Sequence, residues 1–174
     1  LAGGLASLLG PETTESMKKK GKKKKGGKGK GKGKSKCTGN VNGSASATEE
    51  EALLQMINDF RADNGALQPL TRQPQLDNAA ASHSRDMATR CYFEHVSPDG
   101  TNPFERMAAA GYPGVPLSEN IYKGSGSFAS AAEAFDGWKN SDGHRTNMLD
   151  PQAAQIGIGA VLESSGFMNW TNVF

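Results

Sequence analysis

The chain has 174 residues, room for one domain with an appendage, and 36% of it is apolar. Its net charge of +2 hides an opposition: residues 1–36 carry twelve lysines against Glu12 and Glu15, a net +10, while residues 37–174 carry 8 basic and 16 acidic side chains, a net −8. Two cysteines are too few for a disulfide framework or a cysteine-ligated zinc site, and no apolar run reaches the length of a bilayer span.

Leu1 to Gly10 is apolar but short, and no initiator Met precedes it. Two readings stay open: the tail of a secretory h-region, or a flexible leader. Met17 to Lys36 is lysine and glycine with almost nothing to bury, so the arm is expected to be disordered and extended by its own charge. Lys18–Lys36 suits either a solvated tail or contact with a polyanion: an acidic polysaccharide, another anionic surface such as lipid headgroups, or nucleic acid. No aromatics interleave the lysines, which argues against sequence-specific nucleic-acid binding. Cys37 to Ala47 continues as a Gly/Ser/Asn linker, so residues 1–47 read as leader, arm and linker.

The domain is expected over residues 48–174. Thr48 with Glu51 reads as a capping box, followed by a helix burying Leu53, Ile57 and Phe60 and stopping at Asn64-Gly65. Leu67 to Leu70 is a short extended link. The spacing predicts a second helix over about 74–90, with Leu76, Ala80, His83 and Met87 on its core-facing stripe. Taken alone, His83 fits a hydrogen-bonded core histidine. Ser97-Pro98-Asp99-Gly100 is turn chemistry, and Asn102-Pro103 caps and opens a third helix that Gly111 ends. Ser118 to Tyr122 enters a strand. Ser130 with Glu133 caps a helix that runs to about Asn140, and Ser141 to Arg145 reads as a sharp break after it. Two strands around Ile156 to Ala160 and Phe167 to Phe174, joined at Ser164-Ser165-Gly166, close the chain. Helices early and a hairpin late indicate an α+β fold with the sheet covered by helices.

The three histidines are His83, His95 and His144. With Glu119 they make a polar set that apolar packing does not need. It suits metal coordination, proton transfer or the grip of a small polar group. Cys37 and Cys91, if paired, would close a loop of about 50 residues, worth on the order of 4 kcal/mol; if unpaired, they are unrelated thiols. Asn42-Gly43-Ser44 fits the glycosylation pattern in the linker, and Asn169-Trp170-Thr171 fits it in a strand.

These motifs resemble those of the CAP superfamily, which includes cysteine-rich secretory, antigen 5 and pathogenesis-related proteins, and in particular its short microbial SCP-type branch. The likeness is carried by His83-Ser84, Asp86 to Ala88, Tyr92-Phe93, His95 and Ser97 to Gly100. Ser118 to Ile121, Trp138, Ser141, Gly143 to Arg145, Asn147 to Leu149, Ile156 to Gly159 and Trp170 to Phe174 follow in the same order. The resemblance covers residues 48–174. It implies a three-layer α-β-α sandwich and a cleft with a His/Glu/Glu/His tetrad able to bind a divalent cation, often zinc. His95, Glu119 and His144 take three positions. Ser141 stands where a second Glu is expected, Asp142 is next to it, and His83 is an alternative fourth member. The implied metal ligands are therefore His95 and His144.

The resemblance implies a secreted, extracellular protein that binds a small or lipid-like ligand, with no catalytic residue assigned. A metal-assisted or protease-like hydrolase is the alternative, with Glu119 as general base. Ser97 and Ser118 lie near the motifs, but serines at turns and strand entries commonly satisfy backbone groups. A wall or matrix protein in which only the arm matters is a third class.

Overall fold

The computed structural model describes residues 37–174. The leader and the lysine arm, with the expectations attached to them, lie outside the described residues. The elements are β1 (Val41–Ser44), α1 (Ala47–Asp63), β2 (Thr71–Arg72), α2 (Pro74–Arg90), α3 (Pro103–Ala109), β3 (Glu119–Ser125), α4 (Ala131–Lys139), α5 (Asp142–Met148), β4 (Gln155–Glu163) and β5 (Phe167–Val173).

The sheet runs β1-β4-β5-β3, antiparallel throughout, with β2 adding a short parallel pairing to β4. Alternation along β4 sorts the two faces. Ile156, Ile158 and Ala160 join Leu53, Ile57, Trp138, Trp170 and Phe174 in the larger core beneath α1 and α4. Gly157 and Gly159 face α2. A Cβ on Gly157 would fall 2.0 Å from the Leu76 backbone carbon, and one on Gly159 would fall 2.4 Å from the Ala81 nitrogen. The helix lies on bare backbone there. α3 covers the outer side through Met107, packed with Leu76, Ala79, Ala80 and Val173. The result is an α-β-α sandwich.

Three sequence expectations need correction. First, Val41–Ser44, expected as linker, is strand β1 on the edge of β4, and Ser164 N donates to Asn40 O. Its side chains are mostly exposed, so backbone pairing holds it and no apolar pattern announces it. Second, α1 is capped by Ser46 rather than Thr48, with Glu49 N donating to Ser46 Oγ at 3.2 Å. Ala45 N is still bound to Ala160 O of β4, so the helix begins as soon as the chain leaves the sheet. Third, residues 141–145 do not break the chain. Ser141 occupies the cap position of α5, and Asp142 pairs with Arg145 in its first turn. Ser-Asp-Gly signals a turn and a helix start equally well.

Elsewhere the expectations match. Asn64 ends α1, and Asn102 and Glu105 form a reciprocal capping box on α3 with Pro103 at its first position. Ser130 caps α4. Cys37 and Cys91 form a disulfide with Cα atoms 5.7 Å apart, fastening the root of β1 to the end of α2. Asn42 is exposed on β1, whereas Asn169 is buried with its amide donating to Glu163. Among the described residues no helix is long and apolar enough to cross a membrane.

Candidate functional site

The centre of the site is Glu119, the first residue of β3, whose side chain is 1% exposed. Its Oε1 accepts from His95 Nδ1 at 2.8 Å and from Arg106 Nη2 at 3.1 Å, and its Oε2 accepts from Arg106 Nη2 at 2.9 Å. A carboxylate only accepts, so His95 carries a proton on Nδ1, and in the neutral ring the lone pair is on Nε2. The His95 side chain is 39% exposed, so this edge is reachable from solvent.

Arg106 also positions the loop that carries His95. Nη2 donates to His95 O at 2.7 Å, while Nη1 donates to Thr101 O at 3.0 Å and Ser97 Oγ at 3.2 Å. The turn closes on itself through Ser97 N to Thr101 O and Gly100 N to Ser97 O. Gly100 has φ +91°, which a side chain would strain.

His144 rides on α5. Its Nδ1 lies 2.9 Å from Ser141 Oγ, and its carbonyl accepts from Asn120 Nδ2 at 3.1 Å. Asn147 Nδ2 donates to Asn120 Oδ1 at 2.8 Å, so β3 and α5 are joined by an amide pair next to Glu119. Burial, with the neighbouring His95 adding to it, lowers the His144 pKa to about 4. Asp142 points away from the site: its side chain is 93% exposed and paired with Arg145.

His83 is fully buried behind Glu119, with Nε2 3.7 Å from Oε1. Nε2 donates to Glu94 O at 3.1 Å, and Nδ1 faces the Tyr92 hydroxyl at 3.4 Å. Burial lowers its pKa to about 4, against the pull of Glu119. It is a neutral core histidine that touches the site from inside. Ser97, 6% exposed, has its oxygen held by Arg106 and Tyr92, and Ser118 Oγ is buried without a partner among the described residues.

His95, Glu119 and His83 are thus brought together, with His144 alongside. The sequence reading missed Arg106, which alone among the described residues hydrogen-bonds both Glu119 oxygens. A single arginine in a seven-residue helix carries no local signal; its role appears only when α3 closes against β3.

The family profile of the Cysteine-rich secretory proteins, CAP, matches residues 54–174. The chain belongs to the CAP family. Its relative YkwD from Bacillus subtilis (strain 168) is 36% identical over 131 residues, 75% of this chain and 48% of YkwD, so the chain spans about half of that relative's length. Among solved structures, an outer surface protein from Borrelia burgdorferi has a TM-score of 0.65 at 16% identity, over 77% of this chain and 96% of that one. An extracellular SCP-domain protein from Bacillus anthracis str. Ames has a TM-score of 0.53 at 26% identity, over 71% and 41%.

A CAP tetrad would need four donors with free lone pairs. In this CAP domain both oxygens of Glu119 are already engaged by Arg106, one of them by His95 as well, Ser141 offers a hydroxyl in place of a carboxylate, and Asp142 faces outward. Among the described residues no group of three or more His, Cys, Asp or Glu side chains is arranged to hold a metal ion. The residues present do not fit a four-ligand cation.

Proposed function

We propose that the chain is a secreted CAP-domain binding module. Its cleft, edged by His95 and His144, grips the polar end of a small or lipid-like ligand, and its Lys18–Lys36 arm tethers it to an anionic polysaccharide or another anionic surface. One observation carries the binding reading. The parts of a hydrolytic triad are split between two histidines: the orienting carboxylate Glu119 serves His95, while the serine hydroxyl of Ser141 faces His144. A nucleophile needs its base, and that base its orienter, in one line.

Three further observations support the finer points. Phe93 and Val96, on either side of His95 in sequence, are exposed and offer apolar surface to a ligand's apolar part. The Cys37–Cys91 bond belongs to an oxidising compartment. The Bacillus anthracis neighbour is described as extracellular.

The test is native mass spectrometry of the full chain after exposure to fatty acids, sterols and short acidic sugars. Wild type is compared with His95→Ala/His144→Ala. Uptake of one class by wild type and its loss in the double variant is expected. Peptide or ester cleavage abolished by Glu119→Gln would replace this reading with the hydrolase. For the arm, retention on an anionic polysaccharide resin should shift to lower salt when residues 17–36 are removed. Unchanged retention would discard the tether.

A further inference from the structure

The metal that the CAP resemblance implies and the cation that Glu119 already holds compete for the same oxygens. Arg106 donates to both of them, at 2.9 and 3.1 Å. A guanidinium does not lose its proton in a protein, so it is a permanent charge at that position. Nor is it free to swing away. Its other bonds, to His95 O, Thr101 O and Ser97 Oγ, hold the 95–101 loop, so moving it undoes the loop that carries His95. A divalent ion on Glu119 would sit beside this buried charge and be repelled by it.

The remaining donors are poor. His95 spends Nδ1–H on Glu119, and His144 turns Nδ1 to Ser141. What is left is one ring nitrogen from each, with no carboxylate to bring negative charge. Two neutral imidazoles make a weak, open site for zinc. Ser141 removes one charge from the tetrad and Arg106 cancels the other.

We propose that Arg106 is the resident cation of this cleft, standing where a metal's charge would act, and that the domain works without metal. Arg106 is then a positioning residue: it fixes Glu119, Glu119 fixes the Nδ1–H tautomer of His95, and the free Nε2 edge faces the ligand. This rests on the cleft being the working site, but its test reads metal rather than ligand, so the two can fail separately.

Chelator-treated full chain is titrated with zinc by calorimetry at neutral pH, as wild type, Ser141→Glu, Arg106→Gln and Arg106→Gln/Ser141→Glu. Wild type is expected to give no saturable heat at micromolar zinc. The double variant is expected to bind about tenfold or more tighter than either single variant, in keeping with the effect of altered ligand surroundings on metal affinity. Ser141→Glu leaves the 95–101 loop intact and guards against misfolding of the Arg106 variants. As a second readout, the 15N imidazole spectrum of wild type should show His95 protonated on Nδ1, unchanged by chelator. One-site micromolar zinc binding by wild type, lost in His95→Ala/His144→Ala, overturns the proposal. A folded double variant that still ignores zinc overturns the assignment of the exclusion to these two residues.

Discussion

Arg61→Met is the sharpest test of how the helix that carries His144 is held in place. Arg61 lies in the last turn of α1 with 1% of its surface exposed, and among the described residues it makes no carboxylate pair. Its donors instead reach four backbone carbonyls: Nε to Gln68 at 3.0 Å, Nη1 to Met148 at 2.7 Å and Asp150 at 3.0 Å, and Nη2 to Ala153 at 3.1 Å. Met148 closes α5, the helix that carries His144, so the guanidinium acts as its C-terminal cap. Methionine keeps the apolar stem and removes every donor. Each charge-assisted bond is worth about 1.5–3 kcal/mol, but burial disfavours the cation and lowers its pKa, so the net is smaller than the sum. Leaving a buried carbonyl without a donor costs about 1–3 kcal/mol, so with four carbonyls affected the total is expected to reach about 3 kcal/mol or more, a large part of the roughly 5–15 kcal/mol that holds a domain together. Urea unfolding should show that loss as a lower midpoint with an unchanged slope. The His144 ring resonances should also move, because α5 loses its clamp. A loss below about 1 kcal/mol with His144 undisturbed would refute the clamp, since so small a cost is that of an ordinary surface change.

Three further outcomes are expected. Reducing Cys37–Cys91, which are 54 residues apart, should lower stability by up to about 4 kcal/mol in thermal unfolding with and without a thiol reductant, and by less where β1 frays from β4 and recovers chain entropy in the native state; no change at all would mean that the bond constrains nothing. Gly157→Ala would set a methyl against the Leu76 backbone, so helix and strand must part, at a cost of about 1–3 kcal/mol or more by denaturant titration; a neutral result would show that α2 does not rest on β4. His83 and His144 have folded pKa values of about 4, below the ordinary 6.5, so the unfolded chain binds more protons between those values. Stability should therefore be full above about pH 6.5 and fall as pH drops toward 4, approaching one proton of linkage per histidine, and a flat profile of unfolding free energy across that window would contradict the burial of both rings.

The sequence carries the fold wherever side chains do the holding. The stripe of Leu76, Ala80, His83 and Met87, the Asn102–Glu105 box and the alternation at Ile156 and Ile158 each match what forms. It fails where backbone or distant contacts decide. β1 is held by its pairing with β4 and by a disulfide, so Gly/Ser/Asn composition reads as linker. α5 opens with Ser-Asp-Gly, which also spells a turn. In the site, His95, Glu119 and His144 were legible as rare polar residues in a motif. Arg61 and Arg106 were not, because each lies on a helix where an arginine ordinarily faces water, and their partners are far away or in another element.

Those two arginines share a logic: each holds the segment that carries one histidine of the candidate site. The 95–101 loop and the end of α5 need polar partners as well as apolar packing, because carbonyls such as His95 O and Met148 O would be costly to bury without a donor. A guanidinium satisfies several carbonyls at once and sets their spacing by its planar fork. Arg106 thereby fixes the loop of His95, and Arg61 fixes the helix of His144, while the Asn120–Asn147 amide pair ties that helix to β3 beside Glu119. The segments that carry His95 and His144 therefore each hang on a guanidinium. Phe93 and Val96, exposed close to His95 in sequence, belong to neither set of anchors. Loss of either arginine should displace its histidine while leaving both imidazoles chemically intact.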